Sequence, residues 1–186
     1  MEEASMTRTT GMNGVEVGRT LDRLATQMIE QLGVPTDYSL VGIVTGGRPI
    51  AERLANRIEK STGVRPATGT VDITLYRDDL YTGLEKPVLG ETKLPFKLTG
   101  QDIVLVDDVL FTGRTVRAAL DVLNDYGRPR SVKLAVLVDR GHRELPIAAD
   151  FAGRTILTEK GDKVEVVLAD DESGSDKVVV HPGGGQ

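Results

Sequence analysis

The sequence contains no cysteine, so disulfides, thiolate nucleophiles and thiolate metal sites are all excluded. Imidazole is nearly absent too: His142 and His181 are the only two histidines, which argues against a structural zinc site. No apolar run approaches the roughly 18 residues that a membrane span needs. Residues 1–14 hold two acids and no apolar core, unlike a secretory signal. There is no basic excess, since 23 Lys and Arg face 28 Asp and Glu for a net charge of −5. Any nucleic-acid role must therefore come from a local basic patch. What is present is ordinary globular composition, with 39% hydrophobic and 27% charged residues in 186. That suits one soluble domain, expected in the cytoplasm.

Periodicity places the elements. Leu21, Leu24, Ala25, Met28, Ile29 and Leu32 recur at helical spacing, predicting an amphipathic helix from Gly18 to Gln31 that ends at Gly33 and Pro35. The run 39–44 reads as a buried strand, followed by the turn 45–49 and a second helix burying Ile50, Leu54 and Ile58. A β-branched strand is expected over Thr68–Tyr76, then a long segment from Arg77 to Gly100 with the character of a functional lid. Strands are expected at Ile103–Val106 and Val132–Val138 with a helix between them, then short strands at 156–158, 164–168 and 178–180. Apolar strands alternating with helices imply an α/β domain with a mostly parallel central sheet covered on both faces. The expected organisation is a flexible start over 1–14 and a single domain over 15–169. The last segment, 170–186, reads as an acidic turn, a short strand and a flexible end.

The segment carrying chemistry is Val104-Leu105-Val106-Asp107-Asp108-Val109-Leu110-Phe111-Thr112-Gly113-Arg114-Thr115. Gly113 lets backbone N–H groups approach a phosphate, the Thr112 and Thr115 hydroxyls donate to it, and the following helix adds its positive N-terminus. The adjacent carboxylates of Asp107 and Asp108 sit where ligands bind in parallel sheets. Acids for ribose hydroxyls and Mg²⁺, beside amides for a phosphate, suit a sugar phosphate. The Gly-Lys-Thr end of a Walker loop is missing.

These residues resemble the phosphoribosyl-diphosphate (PRPP) binding motif of type I phosphoribosyltransferases. Together with 72–80 and 137–146 (Leu137-Val138-Asp139-Arg140-Gly141-His142-Arg143-Glu144-Leu145-Pro146), they resemble the PyrR family of pyrimidine-operon regulators and uracil phosphoribosyltransferases. The resemblance implies the type I phosphoribosyltransferase fold with a hood loop and a short C-terminal β tail. It also implies conversion of uracil and PRPP to UMP and diphosphate with Mg²⁺. Asp107 and Asp108 would hold the ribose and, through water, Mg²⁺, with Arg77 as a further catalytic group at the hood. Residues Val109, Leu110, Phe111, Thr112, Gly113, Arg114 and Thr115 would hold the 5′-phosphate. Thr45, Gly46, Gly47 and Arg48 would form the diphosphate loop. Arg140 would lie across the pyrimidine, with the backbone of Val138, Asp139 and Arg140 reading its edge. The family's second activity, uridine-nucleotide-dependent binding of a leader-mRNA stem-loop by a dimer or tetramer, would draw on Arg23, Arg140, His142 and Arg143, with UMP or UTP as effector.

The sequence departs from the family pattern in two places. The diphosphate loop reads Val44-Thr45-Gly46-Gly47, without the usual Arg beside Thr, and its only nearby cation is Arg48, which implies slower transfer. On the RNA side, Asp22, Thr26 and Ala148 stand where Thr or Ser, His and Arg are usual, and each lost cation removes part of the salt-dependent affinity. The alternatives are a catalytically weak uridine-nucleotide sensor that binds RNA, and an enzyme that has lost RNA binding. A transferase for a purine base is disfavoured by the 138–143 segment.

Overall fold

The computed structural model describes residues 9–76, 91–170 and 175–183. In chain order the elements are β1 (Thr9–Met12), α1 (Gly14–Leu32), β2 (Tyr38–Ile43), α2 (Gly47–Thr62) and β3 (Ala67–Val71). A single 3-10 turn (Thr74–Tyr76) precedes β4 (Asp102–Leu110), α3 (Arg114–Tyr126), β5 (Ser131–Asp139), β6 (Phe151–Thr155), β7 (Lys163–Val167) and β8 (Lys177–His181).

Five strands form a parallel sheet in the order β3-β2-β4-β5-β6. Its two faces are set by the two-residue period of β4. Val104 and Val106 enter a core with Leu21, Leu24 and Met28 of α1 and Leu54 and Ile58 of α2. Ile103 and Leu105 enter a second core with Val116, Ala119 and Leu123 of α3. This is the expected α/β architecture, with helices on both faces.

Several boundaries differ from the sequence reading. Residues 9–12, read as part of a flexible start, form β1 and pair antiparallel with β8, and Met12 is fully buried. Helix α1 starts four residues early because Asn13 and Glu16 form a capping box. The Asn13 carboxamide oxygen accepts from the Glu16 N–H at 3.0 Å, and the Glu16 carboxylate accepts from the Asn13 N–H at 2.9 Å. The strand expected through Tyr76 stops at Val71, where the Asp72 carboxylate accepts from the Thr74 N–H at 2.9 Å and turns the chain. The strand expected at 156–158 lies instead at Phe151–Thr155, a segment with one large apolar residue and therefore no periodic signal. The tail is not purely C-terminal: β1, β8 and β7 make a separate antiparallel sheet.

Candidate functional site

The carboxyl ends of β2, β4 and β5 lie side by side, and the loops that leave them carry most of the residues singled out by sequence. Strand β4 runs to Leu110, so Asp107 and Asp108 sit within it, with Asp107 opposite Val136 of β5. Asp107 is 5% exposed and Asp108 half-buried. Burial, reinforced by the neighbouring Asp108 charge, pushes the Asp107 carboxyl well above the usual carboxylate range. Its Oδ1 accepts from the Asp108 N–H at 3.0 Å, and Asp108 Oδ1 accepts from the Val109 N–H at 2.7 Å. The pair therefore offers one buried carboxyl, whose charged form burial disfavours, beside one that is partly exposed. Adjacent carboxyl groups are oxygen donors of the kind Mg²⁺ takes alongside water and substrate phosphates, and no group of three or more His, Cys, Asp or Glu side chains that could hold a metal occurs among the described residues.

The phosphate loop follows at once. Gly113 adopts φ 91°, a left-handed conformation that favours glycine, and α3 begins after it with no side-chain cap and no acid in its first turn. The Arg114 N–H donates to Thr112 Oγ1 at 3.3 Å, and the other amides at the start of α3 have no side-chain cap. Thr112 and Thr115 flank this opening. Arg114 points to Glu144, at 2.8 Å.

The loop after β2 packs directly on the acid pair. A methyl group built on Gly47 would overlap the Val106 carbonyl, and one built on Gly46 would overlap the Asp108 carboxylate. Glycine is thus what lets 45–47 approach the acids. Arg48 is exposed and lines a cavity of about 580 Å³ together with Glu52, Thr68, Thr70 and Lys93. Arg77, with Asp78 and Asp79, lies outside the described residues.

Arg140 is 6% exposed, and its guanidinium lies 4.0 Å from the centroid of the Phe111 ring. Its Nε donates to Thr158 Oγ1 at 3.2 Å and its Nη2 to the Glu159 carbonyl at 2.9 Å. The guanidinium thus covers the ring of Phe111 in the 111–115 loop. Val138 is fully buried, and the Asp139 carboxylate accepts from the Gly141 N–H at 2.9 Å.

The expected RNA contacts are mostly turned inward. Arg140 is 6% exposed. Arg143 donates to the Ile147 carbonyl at 2.9 Å and the Phe111 carbonyl at 2.8 Å, and it pairs with Asp139. His142 holds φ 60° with Nε2 2.6 Å from the Thr158 carbonyl. Only Arg23 is exposed, donating to the Gly153 carbonyl from a shallow hollow it shares with Arg19, Thr20 and Arg154. Sequence reading missed Arg154, because only the fold brings β6 against α1. Asp22, the suspected repulsive acid, is paired with Arg57 of α2 at 2.8 Å.

The profile of the phosphoribosyl transferase domain matches residues 14–172. A protein named "Bifunctional protein PyrR" from Elusimicrobium minutum is 49% identical over 168 residues, covering 90% of this chain and 93% of its own length. Another of that name from Thermus thermophilus is 51% identical over 167 residues, covering 90% and 92%. Among solved structures, a Trypanosoma cruzi hypoxanthine phosphoribosyl transferase superposes with a TM-score of 0.69 over 97% of this chain and 94% of its own, at 17% identity. A Bacillus anthracis hypoxanthine-guanine phosphoribosyltransferase gives 0.64 over 80% and 83%, also at 17%. At that identity the likeness establishes the fold alone.

Proposed function

The chain belongs to the PyrR family of phosphoribosyl transferase domains, and from that premise we propose that it transfers the phosphoribosyl group of PRPP to uracil, giving UMP and diphosphate. The observation that carries this reading is the meeting of three parts at one sheet end: the acid pair 107–108, the uncapped loop 111–115 and the glycine loop 45–47. In the reaction the C1′–O bond breaks with its bonding pair leaving on diphosphate, the N1–C1′ bond forms, and the uracil N1 proton passes to the departing diphosphate. The ribose carries positive charge between those events, so the protein's work is positioning and charge stabilisation. Asp107 and Asp108 hold the ribose hydroxyls and offset that charge. Thr112, Gly113 and Thr115 fix the 5′-phosphate, and Thr45, Gly46 and Gly47 supply backbone amides to the diphosphate. Mg²⁺, held by Asp108 and substrate oxygens, would neutralise the leaving diphosphate. Because that loop carries no cation at 46, turnover is expected to be slower than in relatives with Arg there.

The second activity we assign is regulatory: uridine-nucleotide-dependent control of pyrimidine biosynthesis genes by binding a leader-mRNA stem-loop, with the chain acting as a cytoplasmic dimer or tetramer. Its support is the word "bifunctional" in the relatives' names and the hollow of Arg19, Arg23 and Arg154 on α1 and β6. No helix among the described residues is long and apolar enough to cross a membrane. The test of the first activity is UMP formation from uracil, PRPP and Mg²⁺. Replacing Asp107 and Asp108 together with Asn should abolish turnover in a folded protein, and full activity in that variant would refute the assignment.

A further inference from the structure

We propose that the stacking platform for the pyrimidine is the ring of Phe111, with Arg140 as its backing, so that a phosphate-loop side chain governs base affinity. The proposal rests on the functional reading above and deepens it.

Three groups from the loop after β5 converge on this one residue. The Arg140 guanidinium carbon stands 4.0 Å from the ring centroid, the His142 ring meets it edge-on at 6.0 Å and 75°, and Arg143 Nη1 donates to the Phe111 carbonyl at 2.8 Å. The ring is covered on one face by a cation and still stays partly exposed, whereas Arg140 is 6% exposed. A guanidinium fixed by Thr158 and Glu159 and covered by an aromatic ring has little surface left for a flat ligand. The ring in front of it does. Its place in the sheet also favours a base over a phosphate. Leu110 pairs in register with Asp139, and its carbonyl accepts from the Arg140 N–H at 3.0 Å. Phe111 therefore stands beside the backbone of 138–140, where a uracil edge would be read. Aromatic faces hold bases by stacking, and a cation clamped behind the ring fixes its orientation.

The test is calorimetric titration of the full chain, with Mg²⁺, by UMP and by ribose 5-phosphate. Phe111→Leu should weaken UMP about three- to tenfold, while ribose 5-phosphate shifts by less than about twofold. Phe111→Tyr, which keeps the ring, should restore UMP binding. The KM for uracil should rise more than the KM for PRPP. Equal weakening of both ligands in Phe111→Leu, or of neither, overturns the platform and leaves the transferase reading standing. A wild-type chain that binds neither ligand refutes that reading, and the platform with it. Should Phe111→Leu fail to fold, Arg140→Lys decides: selective loss of UMP supports the backing role, and equal loss of both ligands overturns it.

Discussion

Gly46 lies against the carboxylate of Asp108, so close that any side chain at 46 must displace it. The loop 45–47, proposed to hold diphosphate, and the acids 107–108, proposed to hold the ribose, are therefore one packed unit. Gly46→Ala should lower kcat about tenfold, by moving Asp108 without adding a cation. Gly46→Arg should exceed Gly46→Ala, because it supplies the missing cation to the same displaced geometry. Steady-state turnover of the two variants checks this, and equal rates would mean that charge in this loop is immaterial.

The raised pKa of Asp107 makes a stability prediction with a definite sign. A carboxyl that holds its proton more tightly folded than unfolded contributes no penalty below the unfolded value, near 3.9. Above it, folding carries a cost that grows until the folded value is passed. Asp107→Asn keeps the acceptor for the Asp108 N–H and cannot ionise. It should be more stable than the wild type at pH 7–8, with the gap closing as pH falls towards 4. Urea midpoints across that range test it, and a gap that is constant with pH would contradict it. Turnover should nonetheless fall at least about a hundredfold.

Arg53 and Asp176, at 6% exposure each, form a buried ion pair at 2.5 Å that ties α2 to the segment before β8. Asp176 also accepts from the Ala169 N–H at 2.8 Å. Asp176→Ala should cost about 3–5 kcal/mol by stranding the buried guanidinium. Arg53→Met combined with Asp176→Ala should recover part of the loss. Equilibrium urea unfolding reads both values, and additive losses would argue against the pair.

Asp22 offers a test of the regulatory half. Asp22→Thr removes an exposed acid from the α1 face and releases the Arg57 guanidinium from it. Affinity for the leader stem-loop should rise, and the log–log salt slope should steepen by about one phosphate contact. Filter binding between low and physiological salt would show it. An unchanged slope would place the RNA surface elsewhere.

The readable parts of this protein were those with a local signal. The strand-to-helix turn at Thr112-Gly113-Arg114-Thr115 was legible because a glycine able to take a positive φ separates an apolar run from a helical period. The helices were legible because their buried positions recur at a fixed period. Strand β6 was not, since Phe151 is its only large apolar residue. Strand β1 was not, since its burial depends on β8, more than 160 residues away in sequence. The surroundings of Arg140 and Arg143 were not legible for a related reason. A guanidinium that crosses a base and one that crosses Phe111 are identical in sequence, and only the fold shows that Thr158 and Glu159 hold the first in place. Asp22 read as a repulsive acid because its partner, Arg57, lies on another helix.

The central claim is that the end of β4 holds a ribose 5-phosphate, and the most direct measurement is a crystal structure of the chain with UMP. The account predicts the 5′-phosphate on the amides of Thr112 to Thr115 and the ribose hydroxyls within hydrogen-bond reach of Asp107 and Asp108. UMP bound elsewhere, with loop 111–115 empty at saturating nucleotide, would contradict it.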